Sequence, residues 1–348
     1  MASLPRMSRK NNKRRQVERA VMSPQAVGLS AEPSLSLRRS VAEMVQRLAP
    51  HDVALAKAHL QRRANVITLG TCCSGTDVCS FAVNEVMLAL GGAMEHEFSC
   101  EQHETKQRFI RRFHAPKKMF QDVTTLAHMS LDVISMSQRV VPSVDVVIAG
   151  FSCKDVSILN KHSARNKGCV LEGSLRTGGT FEGVRHYCEI SRPGIVILEN
   201  VTALLNSGSS GMSGADAVVQ SMNALGYAVL VLQLQPLVHG VPHRRERVFF
   251  LCMRVSGAAL SGTQVQSFSK LMDDIKAIVM NDLSLPLVPL TDVLLSDEDP
   301  ALADWSFSPQ SDTPSLACFR QRYPSNRSSA SVNKALGVHN RCATLVGL

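Results

Sequence analysis

Cys153 is set apart from the other nine cysteines of the chain by the residues around it. It lies in the stretch VDVVIAGFSCKDVS (144–157), where an apolar run ends at Gly150 and the thiol follows three residues later. A thiol delivered to the end of a buried strand can act as a nucleophile in its thiolate form. The alternative is a buried structural thiol, which is the commoner role of a single cysteine.

Two other groups able to do chemistry accompany later apolar runs. Glu199 follows aliphatic residues in GIVILEN (194–200), so we expect a partly desolvated carboxylate suited to donate a proton. Arg245 and Arg247 lie in HGVPHRRERVFF (239–250), and their alternation predicts that they share one face of the entering strand. Two guanidinium groups there can bind a carbonyl, a carboxylate or a phosphate. The alternative is a salt-bridged strand end.

Small and acidic residues follow the first two apolar runs. GTCCSGTD (70–77) follows NVITLG (65–70), and its small side chains let a ligand approach the backbone. It matches neither a dinucleotide-binding loop nor a phosphate-binding loop, so it is a weak signal alone. Glu101 ends HEFSCE (96–101), where sheets of this kind commonly hold a ribose. A surface carboxylate is an equally good interpretation from position alone.

The scaffold that positions these groups follows from the rhythm of the runs. Apolar runs separated by helix-length segments predict an α/β fold with a mostly parallel, doubly wound sheet. The last two runs, 227–234 and 246–253, are too close for a helical crossover, so we expect an antiparallel final strand. Ligands bind beyond the carboxyl ends of strands in such sheets, which is where the candidate residues would meet.

The charge divides the chain into segments. Of 38 Lys+Arg and 29 Asp+Glu, residues 1–64 hold 13 and 4, which leaves 25 of each for the rest. We interpret 1–34 as a disordered basic arm, 35–64 as a helical lead-in and 65–254 as the α/β domain. Residues 255–348 contain one helix candidate and then Pro- and Ser-rich sequence, which predicts a small, incomplete lobe or an irregular tail.

The basic arm also bears on localisation and partners. The cluster RMSRKNNKRR (6–15) resembles a nuclear-import patch, and an Arg- and Ser-rich leader is also typical of an organelle transit peptide. The arm could contact phosphates, or it could be a solvated tail without a partner. No apolar run approaches a membrane span. The scattered cysteines form no C-x-x-C pair, so we expect no structural zinc site and no disulfide scaffold.

Taken in order, these stretches resemble the cytosine-C5 DNA methyltransferase family, which uses S-adenosyl-L-methionine. VDVVIAGFSCKDVS resembles its nucleophile loop, GIVILENV its E-N-V motif and HGVPHRRERVFFL (239–251) its paired-arginine motif. CSGTD (73–77) lies where the family carries F-x-G-x-G, and 176–197 resembles the helix before the E-N-V strand. The resemblance covers 65–253 and implies a Rossmann-like, S-adenosylmethionine-dependent methyltransferase fold. It also implies that 65–254 is the S-adenosylmethionine-binding catalytic domain and that 255–348 contains a partial target-recognition lobe.

The resemblance implies a covalent mechanism on a target cytosine of DNA. Cys153 would attack C6, and Glu199 would contact or protonate N3. Arg247 would hold the base O2, and Arg245 would support the nucleophile loop and Glu199. Because these atoms are inaccessible inside a duplex, the base would be flipped out. Carbon C5 would then take the methyl group, and elimination would free Cys153.

The resemblance also implies a cofactor pocket, and no metal ion. Ser74, Gly75 and Thr76 would line the methionine and ribose. Glu101 would bind the ribose hydroxyls, and Asp122 would accept a hydrogen bond from the adenine amino group. The full set of residues that we assign to the pocket is Cys73, Ser74, Gly75, Thr76, Glu101, Gln102, Asp122, Val123 and Gly150.

The chain departs from the family pattern at several positions. Ser152 replaces the proline before the nucleophile, which predicts a more mobile loop, and Lys154 replaces a glutamine. His243 replaces the glutamine before the arginines. Cys73 and Asp77 replace the aromatic residue and the second glycine of the cofactor loop. The last two changes remove a stacking surface for adenine and add a charge.

A further departure concerns the end of the pocket. The family closes it with a C-terminal helix near G-N-x-V, and we find no such segment in the chain. A truncated chain, a differently completed pocket and an inactive nucleic-acid-binding relative are therefore alternatives. RNA is an alternative substrate, because one branch of the family acts on tRNA, although that branch's Cys-Phe-Thr signature is not found here.

Overall fold

The computed structural model describes residues 35–163, 166, 168–207, 211–255 and 262–287. The disordered basic arm predicted over 1–34 lies outside these residues, as does most of the lobe predicted over 255–348.

One mixed sheet dominates the described residues. Its strands are β1 (Val66–Cys72), β2 (Ala93–Cys100), β3 (Lys118–Phe120), β4 (Met129–Asp132), β5 (Ser137–Val140), β6 (Val146–Ala149), β7 (Ile195–Val201), β8 (Tyr227–Leu234) and β9 (Arg247–Arg254). Their spatial order is β5-β4-β3-β2-β1-β6-β7-β9-β8. Strands β3, β2, β1, β6 and β7 are parallel, and β9 lies antiparallel between β7 and β8. The predicted mostly parallel sheet with an antiparallel final strand is confirmed.

Three short strands were missed by the sequence analysis. Strand β3 is only three residues long, and β4 has an inverted pattern of burial. Met129 and Leu131 are exposed on β4, whereas Ser130 and Asp132 are buried. The Asp132 carboxylate accepts hydrogen bonds from the main-chain N–H groups of Met119, Ile134 and Ser135, which offsets the cost of its burial. Apolar periodicity cannot reveal a strand whose polar residues face inwards.

Helices flank the sheet along the described chain. They are α1 (Leu35–Arg47), α2 (Pro50–Gln61), α3 (Val78–Leu90), α4 (Glu104–Phe113), α5 (Leu175–Ser191), α6 (Gly214–Ala224) and α7 (Gly262–Ala277). Helices α1 and α2 lie in the segment expected to be helical, and α7 overlaps the later helix candidate. Among the described residues, no helix combines the length and apolar character needed to cross a bilayer.

Aromatic residues are among the largest fully buried side chains of the core, although only 5% of the chain is aromatic. The Phe98 ring lies edge-on to Phe120 and to Tyr187, with ring centroids 5.8 and 5.3 Å apart. A Cβ atom on Gly70 of β1 would lie 2.3 Å from the Phe98 ring. The glycine therefore lets β1 pack directly against this aromatic cluster before it ends at the carboxyl edge of the sheet.

Candidate active site

A cavity of about 410 Å³ opens at the carboxyl edge of β1, β2, β3 and β6. Six of the nine residues assigned to the cofactor pocket line it, namely Cys73, Glu101, Gln102, Asp122, Val123 and Gly150. Ser74, Gly75 and Thr76 do not line it, although they lie in the adjoining loop. The carboxyl ends of the parallel strands therefore bring most of the candidate pocket together, as such sheets do.

The loop after β1 turns sharply because three of its residues adopt left-handed backbone conformations. These are Cys73, Gly75 and Asp77, with φ values of 55°, 64° and 61°. The Asp77 N–H donates to the Ser74 carbonyl at 2.8 Å, which closes the turn. The Ser74 Oγ is buried and has no hydrogen-bond partner among the described residues. An unpartnered buried hydroxyl of this kind fits a loop that binds a polar ligand.

Glu101 connects the loops that follow β1 and β2. Its Oε2 accepts the Gly75 N–H at 2.9 Å, and its Oε1 accepts the His103 N–H at 2.9 Å. The side chain is buried, and it lines the cavity. Each carboxylate oxygen keeps a further lone pair, so Glu101 is oriented and can still accept hydrogen bonds from a ligand.

Asp77 adds its charge beneath the cofactor loop, and it does not line the cavity. The residue is 0% exposed, and its Oδ2 accepts the hydroxyls of Thr71 at 2.9 Å and Ser99 at 2.7 Å. The His96 Nε2 lies 3.5 Å from the same oxygen. Asp tolerates the left-handed conformation better than most residues, which explains how it can occupy a glycine position of the family pattern.

Asp122 and Val123 occupy a short turn after β3. The Asp122 Oδ1 accepts the N–H of Thr124 at 2.9 Å, which caps the turn. Helix α5 packs closely against it, because a Cβ atom on Gly183 would lie 2.6 Å from the Val123 carbonyl oxygen. The turn and α5 therefore form one wall of the cavity.

The candidate nucleophile loop, residues 150–157, lies beside β7, which carries the E-N-V sequence. The Asn200 Nδ2 donates to the Phe151 carbonyl at 3.0 Å, which ties the loop to β7. A Cβ atom on Gly150 would lie 3.4 Å from the Glu199 Oε2. Cys153 follows in a half-buried position. The structure thus brings the candidate nucleophile loop and the candidate carboxylate to the same sheet edge.

The paired arginines meet the same carboxylate. The Arg247 Nε lies 2.8 Å from the Glu199 Oε1. Burial lowers the pKa of Arg245 and so does Arg247, whereas Glu199 and Cys153 act in the opposite direction. Glu199 and Cys153 therefore lie near enough to Arg245 to act on its pKa. The expected shared strand face is wrong in one respect, because β9 begins only at Arg247, which pairs with Val201.

Helix α5 contributes residues that the sequence analysis did not assign to the site. Leu175, Arg176, Gly179 and Thr180 line the cavity, together with Ser152, Lys154, Lys106 and His103. A Cβ atom on Gly178 would lie 2.0 Å from the Cys169 carbonyl oxygen, so the start of α5 packs tightly against the preceding segment. The closely spaced glycines of RTGGT were the available signal, since they permit a close approach of the backbone.

Cys72, Cys100 and Cys188 are buried, whereas Cys153 is half-buried. Burial raises the pKa of Cys73 and of Cys188 to about 12, and it raises the pKa of Cys72 and Cys100 well above the usual value. These thiols are neutral, and Cys72, Cys100 and Cys188 serve packing. Within the described part of the chain, no group of three or more His, Cys, Asp or Glu side chains could hold a metal ion.

Residues 79–300, more than half of the chain, match the family of C-5 cytosine-specific DNA methylases. The chain belongs to this family. The match includes Cys153, Glu199 and both arginines of the candidate active site, and it begins just after the cofactor loop.

Curated members of the methylase family share part of this chain. The DNA (cytosine-5-)-methyltransferase DMT5 of Cryptococcus neoformans is 32% identical over 213 residues, which is 59% of this chain and 8% of the relative. The type II methyltransferase M.HhaI of Haemophilus parahaemolyticus is 28% identical over 123 residues, 35% of each chain. The chain thus spans about a third or less of these two relatives. The solved structure of S. pombe Dnmt2 methyltransferase is similar with a TM-score of 0.43 at 15% identity. The match covers 67% of this chain and 61% of the Dnmt2 chain.

Proposed function

We propose that the protein transfers a methyl group from S-adenosyl-L-methionine to carbon C5 of cytosine in DNA. The observation that carries the proposal is the Glu199–Arg247 ion pair at the sheet edge to which Asn200 ties the loop of Cys153, in a chain of the C-5 cytosine methylase family. A nucleophile, a carboxylate and two guanidinium groups at one edge suit attack on a ring that must be activated at a nitrogen and an oxygen.

The cavity residues fit the proposed cofactor. Glu101 offers an oriented carboxylate for the ribose hydroxyls, and Asp122 lines the same cavity for the adenine amino group. Ser74 in the adjoining loop has a buried hydroxyl without a partner among the described residues, although it does not line the cavity. The cofactor, when bound, supplies an activated methyl group.

The side chains of this protein then act on the base. The Cys153 thiolate forms a bond to C6, while Glu199 contacts or protonates N3 and thereby draws electrons from the ring. Arg247 pairs with Glu199 and holds the base O2. Arg245 supports the nucleophile loop and Glu199. After C5 has taken the methyl group, a solvent base accepts the C5 proton and the electron pair of that C–H bond re-forms the C5–C6 double bond. The C6–sulfur bond then breaks with its electrons on sulfur, which releases the Cys153 thiolate, and N3 gives back any proton that it took from Glu199.

The substrate and location are parts of the same proposal. The residues outside 1–64 hold equal numbers of basic and acidic side chains, so we assign phosphate attraction to the basic N-terminal segment. We also propose a nuclear location through residues 6–15, which imaging of a tagged chain with and without this cluster would test. RNA is the competing substrate.

A trapping experiment tests the proposal. The full chain is incubated with labelled S-adenosyl-L-methionine and with DNA or RNA containing 5-fluorocytosine, whose fluorine blocks the final elimination. We expect a covalent adduct with DNA that Cys153→Ala abolishes. An adduct with RNA alone would show that RNA, and not DNA, is the substrate. The absence of any adduct, together with no cofactor binding by calorimetry, would indicate an inactive relative.

A further inference from the structure

The nucleophile loop is docked on the first turns of α5 on both sides of Cys153. Before the thiol, the Ser152 N–H donates to the Thr180 Oγ1 at 3.0 Å. After it, the Asp155 N–H donates to the Thr177 Oγ1 at 3.2 Å, and the Thr177 N–H returns a hydrogen bond to the Asp155 Oδ2 at 2.7 Å. Two threonine hydroxyls of one helix thus hold the main chain on either side of the thiol.

Both threonine hydroxyls are fixed in place. Thr177 is 0% exposed, and the hydrogen bond that it accepts from Asp155 is partly buried. The Thr180 hydroxyl donates to the Arg176 carbonyl at 2.8 Å, which leaves its lone pairs for the Ser152 N–H. A main-chain N–H that loses such an acceptor away from water is costly, so these contacts restrict the loop.

The contact of Ser152 depends on its departure from the family pattern. A proline at this position has no N–H and could not donate to Thr180. The Ser152 Oγ also accepts the Lys154 N–H at 3.4 Å. Hydrogen bonding therefore restrains the segment that a proline would otherwise stiffen.

We propose that Thr177 and Thr180 are positioning residues that hold the Cys153 loop in its attacking position, in place of the missing proline. The proposal rests on the proposed function, because it concerns the same thiol. The competing interpretation is that Asp155 only caps α5. A substitution that removes the Thr177 hydroxyl separates the two interpretations. It leaves the cap intact, because the main-chain N–H of Thr177 still donates to Asp155, but it removes the acceptor of the Asp155 N–H.

Isosteric substitutions test the proposal in the full chain. Thr177→Val and Thr180→Val remove the acceptors, Thr177→Ser and Thr180→Ser retain them, and Thr105→Val on the exposed face of α4 is the matched control. We measure the initial rate of the 5-fluorocytosine adduct, S-adenosylhomocysteine affinity by calorimetry, the unfolding midpoint and amide exchange over residues 150–157.

We expect each valine variant to form the adduct about tenfold more slowly, the effect of losing about one main-chain hydrogen bond. The serine variants and Thr105→Val should react at the wild-type rate. Exchange over 150–157 should accelerate only in the valine variants. Thr177 does not line the cavity, so Thr177→Val should leave the cofactor affinity unchanged. Valine variants with wild-type adduct rates and exchange would overturn the proposal, as would serine variants as slow as the valine ones.

A double substitution guards against misfolding as the cause. In a Ser152→Pro background the donor is already absent, so Thr180→Val should slow the reaction no further. A full additional tenfold loss there would show that Thr180 acts through something other than the Ser152 N–H. If the wild-type chain forms no adduct, the proposed function fails, and amide exchange over 150–157 alone decides the positioning role.

Discussion

Replacing Asp77 by glycine, the residue of the family pattern, should destabilise this protein. The substitution removes the acceptor shared by the Thr71 and Ser99 hydroxyls, both of which are 0% exposed. It also removes a weaker contact from the Cys79 sulfur at 3.1 Å. Glycine in turn relieves the left-handed conformation at φ 61°. The outcome depends on which of these opposing effects is larger.

The structure allows the two effects to be compared. Losing the shared acceptor costs about 2–4 kcal/mol for two buried hydroxyls at the lower end of the usual range, and Thr71 and Ser99 can still contact each other at 2.9 Å. Relief of the left-handed conformation returns about 1 kcal/mol. We therefore expect a net loss of about 1–3 kcal/mol, or roughly 3–9 °C in the unfolding midpoint.

Thermal and urea unfolding of Asp77→Gly, Asp77→Asn and the wild type measure this difference. Asparagine keeps an oxygen for both hydroxyls and tolerates the same backbone conformation, so it should lose less than about 1 kcal/mol. An Asp77→Gly protein as stable as the wild type, or more stable, would refute the reasoning, because backbone relief would then outweigh the buried contacts.

Three further predictions concern the cavity wall, the Asp145 carboxylate just before β6 and the candidate ion pair. Gly183→Ala should lower both the unfolding midpoint and S-adenosylhomocysteine affinity, because the added methyl would meet the Val123 carbonyl at 2.6 Å. An unchanged affinity by calorimetry would contradict this prediction. Burial alone would raise the pKa of Asp145, but hydrogen bonds from Thr68 lower it overall. Its contribution to stability should thus be present above about pH 4 and be lost as the pH falls through the lower folded pKa, so wild type and Asp145→Asn should converge in acid unfolding. Arg247→Lys removes the Nε donor of the ion pair and should slow adduct formation about tenfold with cofactor affinity retained; equal rates would exclude this role.

The sequence predicted the strands that are apolar on both faces. NVITLG, VDVVIAGF and GIVILEN became β1, β6 and β7 in the expected parallel arrangement. It could not find β4, where Asp132 is buried and Leu131 exposed, because the fold satisfies the carboxylate with main-chain donors. It also did not foresee that β9 enters between β7 and β8, since short connections determine direction but not spatial order.

The candidate site was predictable where a residue directly follows a strand. Glu101 and Gly150 lie at the cavity for this reason, and their strand-end positions were visible in the sequence. The threonines at the start of α5 were not, because they act on the loop through hydrogen bonds between segments about 25 residues apart. Such contacts depend on how α5 packs, which periodicity does not encode.

The departures from the family pattern fall into two kinds. Asp77 and Ser152 replace residues of special backbone behaviour, and in each case the new side chain or N–H makes contacts that the replaced residue could not make. Cys73 differs, because it faces the cavity as a neutral thiol in place of an aromatic ring. A thiol offers less stacking area than a ring, so under the proposed function the adenine would depend on the polar contact of Asp122. We therefore expect cofactor affinity, measured apart from adduct formation, to be the quantity that separates a weak enzyme from an inactive relative.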